Sequence, residues 1–367
     1  MPIAGGFTRF RKLQFGYQGS NFSAHYSTQV AATRVMPWRG VPDINRNATF
    51  PDVDTGTLHK AILPYYVRGD FTLSTNGELT YNDFPILGNG ALEANNAPTG
   101  GGAAKTWVFE PASTGTPEPL GMFTVQQGDD VGDPAGESPA DWFQLVGGLI
   151  ETLTLTGPDN MGPLTHSATW RFGKALSTGS TDFAATGTVP TAGLSVDDDP
   201  NYVYLADCEL FINDSAAAIG TTKISDALHS LELSITNNYD LKSFANGSNT
   251  RFQVHSIGRG EQEISLQLQF AKTSDTVGTG SEADDWFSDT PVKRFVELKF
   301  TSPEIITGST PFSLSIRLPV VYVTRADGEI GGNTTVTLTG TGMYDATLGY
   351  AINATDVCEL TSAFGAT

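Results

Sequence analysis

The sequence predicts an all-β protein with minor α content, its few helices serving as plugs. Three observations predict it: short runs of period-2 alternation recur from about Tyr66 onward, 40 Gly and 20 Pro punctuate them, and helical periodicity is scarce.

The first 60 or so residues lack sustained periodicity of either kind. They hold Pro37, Pro42 and Pro51 and turn-like pairs such as Pro42-Asp43 and Thr55-Gly56. Residues 1–65 therefore read as an extended N-terminal arm with one or two short strands, for example Thr28–Val35. Strands are then expected at Gly69–Ser74, Thr106–Glu110, Met122–Gln126, Gly148–Thr156 and His166–Gly173. The stretch from Thr152 to Thr156 sets Leu153 and Leu155 on one face and three threonines on the other. After Pro200 come Tyr202–Leu205, Glu209–Asn213, Ser230–Thr236, Glu263–Ala271, Arg294–Thr301, Phe312–Thr324, Asn333–Thr339 and Leu348–Asn353. Asp83–Leu92 and Glu282–Ser288 each suit one or two helical turns.

Residues 176–200 are mostly Thr, Ser, Gly, Ala and Asp, and Asp197-Asp198-Asp199-Pro200 cannot sit inside a sheet. A linker there divides the body into a first module at 66–190 and a second at 201–367. A weak internal repeat agrees: Glu151–Thr156 followed by Ser167–Lys174 resembles His229–Ser234 followed by Ser265–Lys272, with a Phe and a Lys at matching offsets. Such duplication lets one chain supply two equivalent places in a ring.

The chain has 367 residues and a net charge of −19, from 21 basic and 40 acidic side chains. Residues 1–70 carry +4, which leaves −23 on the remaining 297. This acidity argues against a binder held by phosphate contacts, which needs a basic face. A basic head on an acidic body suggests docking on another copy. Met1–Lys12 has charges but no apolar run, so it does not read as a secretory signal. Cys208 and Cys358 read as two thiols of a reducing compartment, a single bridge between them being the alternative.

No pattern points to catalysis. His25, His59, His166, His229 and His255 form no metal-ligand spacing, and no cofactor motif is present. Asp54-Thr55-Gly56 matches the aspartic-protease triplet, but no second copy exists, and a turn is the better reading. The acidic clusters at Asp129-Asp130, Asp197–Asp199 and Glu282–Asp285 lack the calcium-loop pattern. Nucleophile-elbow and phosphate-loop motifs are absent. The expectation is no enzyme, no catalytic residue, no cofactor and no metal.

Several stretches resemble the major tail tube proteins of long-tailed bacteriophages. They are Val30–Gly40 followed by Phe50–Gly56, Phe123–Asp130, Gly147–Gly157, Ser167–Gly173, Leu228–Asn237, and the closing pair Phe312–Thr324 and Thr334–Thr341. The resemblance covers most of residues 28–355 and rests on the order of loose strand-and-turn patterns. It implies two fused β-sandwich or half-barrel modules and three-membered rings with pseudo-sixfold symmetry. Those rings stack into a tube around a tape measure protein, and tail terminator and distal tail or baseplate proteins meet its ends. DNA passes through in transit. The implied location is the virion tail, after synthesis in a host bacterial cytoplasm. Gly148–Gly157 and Thr334–Thr341 are the expected lumen strands, their Thr and Gly faces turned to water. The alternatives are a carbohydrate-binding β-sandwich adhesin or another virion decoration protein. The adhesin would need clustered exposed aromatics, whereas Trp107, Trp142, Trp170 and Trp286 sit at core-like positions.

Overall fold

The computed structural model describes residues 11–19, 32, 34–49, 65–95, 97–111, 121–129, 141–177, 201–224, 228–242, 256–272, 290–330 and 333–361. It is mostly β, as the alternation predicts. In chain order come β1 (Arg11–Gly19), β2 (Arg34–Met36), β3 (Arg39–Thr49), β4 (Tyr65–Glu78), α1 (Phe84–Ala91), β5 (Lys105–Phe109) and β6 (Met122–Asp129). Then follow β7 (Asp141–Gly157), β8 (Thr165–Phe172), β9 (Lys174–Ser177), β10 (Cys208–Asn213), β11 (Lys223–Ile224) and β12 (Leu228–Thr236). The rest are β13 (Tyr239–Lys242), β14 (Ser256–Arg259), β15 (Glu263–Ala271), β16 (Lys293–Thr307), β17 (Thr310–Ile330), β18 (Asn333–Gly342) and β19 (Asn353–Cys358). Seventeen strands form one branched antiparallel sheet, and β13–β14 is a separate ribbon.

The pairings recur along the chain. β1 pairs with β2 and β6, β3 with β4, β4 with β8, β6 with β7, and β7 with β8 and β9. In the same order, β10 pairs with β11 and β16, β12 with β15, β15 with β18, β16 with β17, and β17 with β18 and β19. A register shift falls at the same place in each set, between Ile150 and Thr152 in β7 and between Tyr322 and Thr324 in β17. The recurrence therefore aligns β7–β8 with β17–β18, and β3–β4 with β12–β15. The sequence-level match of β7–β8 to β12–β15 is corrected. Those two hairpins are neighbours, paired through β7 and β12. Period-2 Leu/Thr alternation is common to any half-buried strand, so it could not set the offset.

Two long strands turn the corner between layers. The start of β7 lies between β6 and β9, and its end lies between β8 and β12. The bend sits at Gly147, whose φ of 71° suits glycine. β17 behaves alike, with Ser313–Arg317 between β16 and β19 and its later half against β18. Aromatic contacts stack the layers of the first half: Phe15 of β1 and Phe123 of β6 lie 5.2 and 5.7 Å from Trp170 of β8. Such rings bury large apolar area in defined edge-on geometries.

The helix α1 is buried along its whole length. A Cβ on its Gly88 would stand 2.6 Å from the Phe109 ring, so only glycine fits. Asn89 donates to the Pro85 carbonyl at 2.8 Å and accepts from the Asn95 N–H, satisfying a polar side chain with no exposure. The halves interlock here, because β5 pairs with β19 and Trp107 donates to the Leu360 carbonyl at 3.1 Å.

Residues 1–65, read as an extended arm, contribute β1, β2 and β3 to the sheet. Leu13, Phe15, Tyr17, Met36 and Trp38 belong to the main core. Buried Gln14 and Gln18 interrupt the apolar pattern of β1, which is why the sequence reading missed it. The Tyr202–Leu205 strand is instead two isolated bridges leading into a short 3-10 turn. The last strand begins at Asn353 rather than ending there. Residues 178–200 of the expected linker and the expected helix at 282–288 lie outside the described residues, as do Trp286 and the Asp54 triplet. Trp107 and Trp170 are buried, as expected. Cys208 and Cys358 are free thiols, and burial pushes the Cys208 thiol up to about 12.

Candidate functional site

The feature that stands out is one face of an eight-strand run within the sheet, in the order β3-β4-β8-β7-β12-β15-β18-β17. Its inner face carries Leu73, Trp170, Leu153, Leu155, Leu233, Ile235, Leu266, Leu268 and Leu338, all buried. Because side chains alternate, the other face is set by the intervening residues, and these are small and polar.

Cross-strand register lines these polar residues into rows. One row runs Asn76, Ser167, Thr154, Ser234, Ser265, Thr341 over six strands. Another runs Glu78, Thr165, Thr156, Glu232, Gln267, Thr339. On the six strands β4, β8, β7, β12, β15 and β18, the charges of this face among the described residues are Asp70, Glu78, Glu151, Glu232, Glu263 and one Arg171. Arg171 is occupied: its Nε meets Glu151 at 2.7 Å and its Nη1 lies 4.0 Å from Asp70. Among the described side chains of these six strands the face is thus acidic and hydroxyl-rich, and exposed Arg39 of β3 adds a cation at one edge of the run. Both expected lumen strands, Gly148–Gly157 and Thr334–Thr341, lie in this run as parts of β7 and β18.

The seam between the halves is built within the chain. Leu155 faces Leu233 and Leu153 faces Ile235 on the core side, while Thr154 faces Ser234 on the polar side. Asn237, fully buried, closes the end of the seam. Its N–H reaches the Glu151 carbonyl at 2.8 Å, and its Nδ2 reaches the carbonyls of Ala91 at 2.8 Å and Ile150 at 3.0 Å. Gln262 donates to its Oδ1 at 2.8 Å. Beside it, the β13–β14 ribbon packs Tyr239 and Ile257 on Met122 and Leu149 of the first half.

A cleft of about 480 Å³ opens on the polar face, lined by Arg39, Asn76, Glu78, Thr156, Thr165 and His166. Burial lowers the His166 pKa to about 4, outweighing the Gly77 carbonyl beside it, so the ring is neutral near pH 7. It packs on Trp38 with ring centres 4.4 Å apart, as a core histidine does. His229 lies at the start of β12, and His25, His59 and His255 lie outside the described residues. Among the described residues, no three His, Cys, Asp or Glu side chains group to hold a metal ion. No helix among them is long and apolar enough to cross a membrane.

The sequence matches no protein-family model and no curated protein.

Proposed function

We propose that this chain is a structural, non-enzymatic subunit of a tail tube of the long-tailed bacteriophage type. It joins head to tail in three-membered rings that stack around a tape measure protein, end on terminator and baseplate proteins, and pass DNA in transit. Its place is the virion tail. One observation carries the reading: two halves with the same order of strand pairings are joined edge to edge, and among the described residues the joined strip has a mostly acidic, hydroxyl-rich face and two end strands with one partner each. Each half then acts as one tube module, and three chains supply six places. A sheet whose end strands are unpaired invites closure by another copy. The acidic face suits a conduit that must not retain a phosphate backbone bearing about one charge per 1.7 Å.

The adhesin alternative draws less support, since Trp38, Trp107 and Trp170 are all core residues. Electron microscopy of the concentrated full-length protein tests the proposal. Striated hollow tubes are the expected outcome, and discrete particles at every concentration and salt tested would refute it.

A further inference from the structure

The internal seam specifies how two copies meet. The recurrence of pairings and the matched register shifts put Thr152, Leu153, Thr154, Leu155, Thr156 and Gly157 of β7 in the places of Thr324, Arg325, Ala326, Asp327, Gly328 and Glu329 of β17. The same alignment, carried through β8–β4 and β18–β15, puts Leu231–Thr236 of β12 in the places of Gly40–Asn45 of β3. β7 and β12 pair with each other, whereas among the described residues the later half of β17 and all of β3 have one partner strand each, at opposite ends of the strip.

We infer that β17 of one copy pairs antiparallel with β3 of the next in the register of the β7–β12 seam, which sets Ala326 opposite Asp43. This rests on the tube reading and adds to it the two edges and their offset. In this register Arg325 faces Ile44, Asp327 faces Pro42 and Thr324 faces Asn45. Strand direction is consistent, since all eight strands of the strip alternate and a following β3 would continue the alternation. Three of the exposed large apolar side chains, Val41 (61%), Ile44 (40%) and Val323 (48%), lie on these edges, where a neighbour would cover them.

The inferred joint differs from the internal one in a way that suits assembly from separate chains. On the core side the internal seam has Leu155 against Leu233 and Leu153 against Ile235. The inferred joint puts Asp327 and Arg325 there, held to each other at 3.1 Å, with Lys272 at 2.9 Å from Asp327. Free edges built this way resist indiscriminate pairing, and Pro42 denies one donor to a misaligned strand.

Paired cysteines in the full chain test the register. Directly opposed residues have Cα atoms about 4.5–5.5 Å apart, within disulfide reach, whereas a two-residue slip puts them beyond it. Within one chain the two edges are about 34 Å apart along the strip, so a Cys pair cannot close on itself. Asp43→Cys with Ala326→Cys, oxidised mildly under assembly conditions, should give covalent multimers on non-reducing gels. The yield should exceed by on the order of tenfold that of Asp43→Cys with Thr324→Cys or with Gly328→Cys. Multimers chiefly from a slipped pair, or from none, overturn the inference. Microscopy of the same samples then shows whether the tube reading stands without it. In the unsubstituted protein, amides of residues 40–45 and 324–329 should gain hydrogen-exchange protection on assembly. Assembled protein with no gain in either segment also overturns the inference.

Discussion

Asn237 donates to the Ile150 carbonyl at 3.0 Å, and so a residue just past β12 holds the strand that bends through the other half of the chain. The same amide group also satisfies Ala91 at the end of α1. Replacing Asn237 with Ala removes its hydrogen bonds to the Ala91 and Ile150 carbonyls and from Gln262, leaving Ala91 only the longer Gln262 contact at 3.4 Å. Asn237→Ala should therefore lower the free energy of unfolding by about 2–4 kcal/mol, read from urea midpoints. A change under about 0.5 kcal/mol would show that the seam does not depend on this side chain.

Strand β1 is structural. Phe15 is fully buried between Trp38, Phe123 and Trp170. Phe15→Ala should cost about 3–5 kcal/mol. Removing residues 1–19 should give a protein that does not unfold cooperatively. A truncated chain with an unchanged thermal transition would mean that β1 is dispensable.

His166 and Asp356 should give the protein opposite pH dependences on its two sides. Burial lowers His166 from 6.5 to about 4, so the stability it confers is present above its unfolded pKa and is lost as pH falls from 6.5 toward 4. The full loss is about 3 kcal/mol, and His166→Leu should flatten that limb. Asp356 is fully buried, and desolvation raises its pKa well above the usual carboxylate range, the neighbouring Cys358 thiol offsetting it only in part. A raised acid is stabilising while protonated. Its contribution is present below the unfolded pKa and is lost as pH rises, with a slope of at most about 1.4 kcal/mol per pH unit. Asp356→Asn should remove this slope and raise the urea midpoint at pH 8 more than at pH 4. Equal shifts at both pH values would show that Asp356 does not titrate differently on folding.

Gly88 and Gly101 predict contrasting outcomes. A Cβ on Gly88 meets Phe109 at 2.6 Å, whereas one on Gly101 meets nothing within 4 Å. Gly88→Ala should destabilise by about 1–3 kcal/mol, and Gly101→Ala should leave the thermal midpoint unchanged or slightly raised. Equal effects would mean that α1 can shift away from β5.

The strands legible in the sequence are those with one wet and one dry face. β15 was delimited at both ends by its alternation, from Glu263 to Ala271, and β4, β7, β8, β12 and β18 were each located by theirs. Strands were missed where burial broke that pattern. Gln14 and Gln18 are buried in β1, and Asp356 sits on the inward face of β19 between Ala354 and Cys358. β3 failed for the opposite reason, since it is an edge whose Val41 and Ile44 are exposed and whose Pro42 reads as a turn. The polar face was foreseeable from the threonines of β7 and β18, but its rows depend on register. Register across strands distant in the chain is a tertiary property.

The bulges in β7 and β17 have a geometric consequence. A bulge bends its strand and adds local twist, and these two fall at the same height in their respective halves. A strip with one such bend every four strands has the same curl at each step, and in the proposed ring no joint between copies would have to absorb a different angle. Three strips would make a hoop of 24 strands, about 115 Å around at 4.8 Å per strand, or roughly 37 Å across the backbone before strand tilt widens it. In the proposed ring, short Thr and Ser side chains would take little from that bore, so threonine at Thr152, Thr154, Thr339 and Thr341 would set a calibre as well as a chemistry.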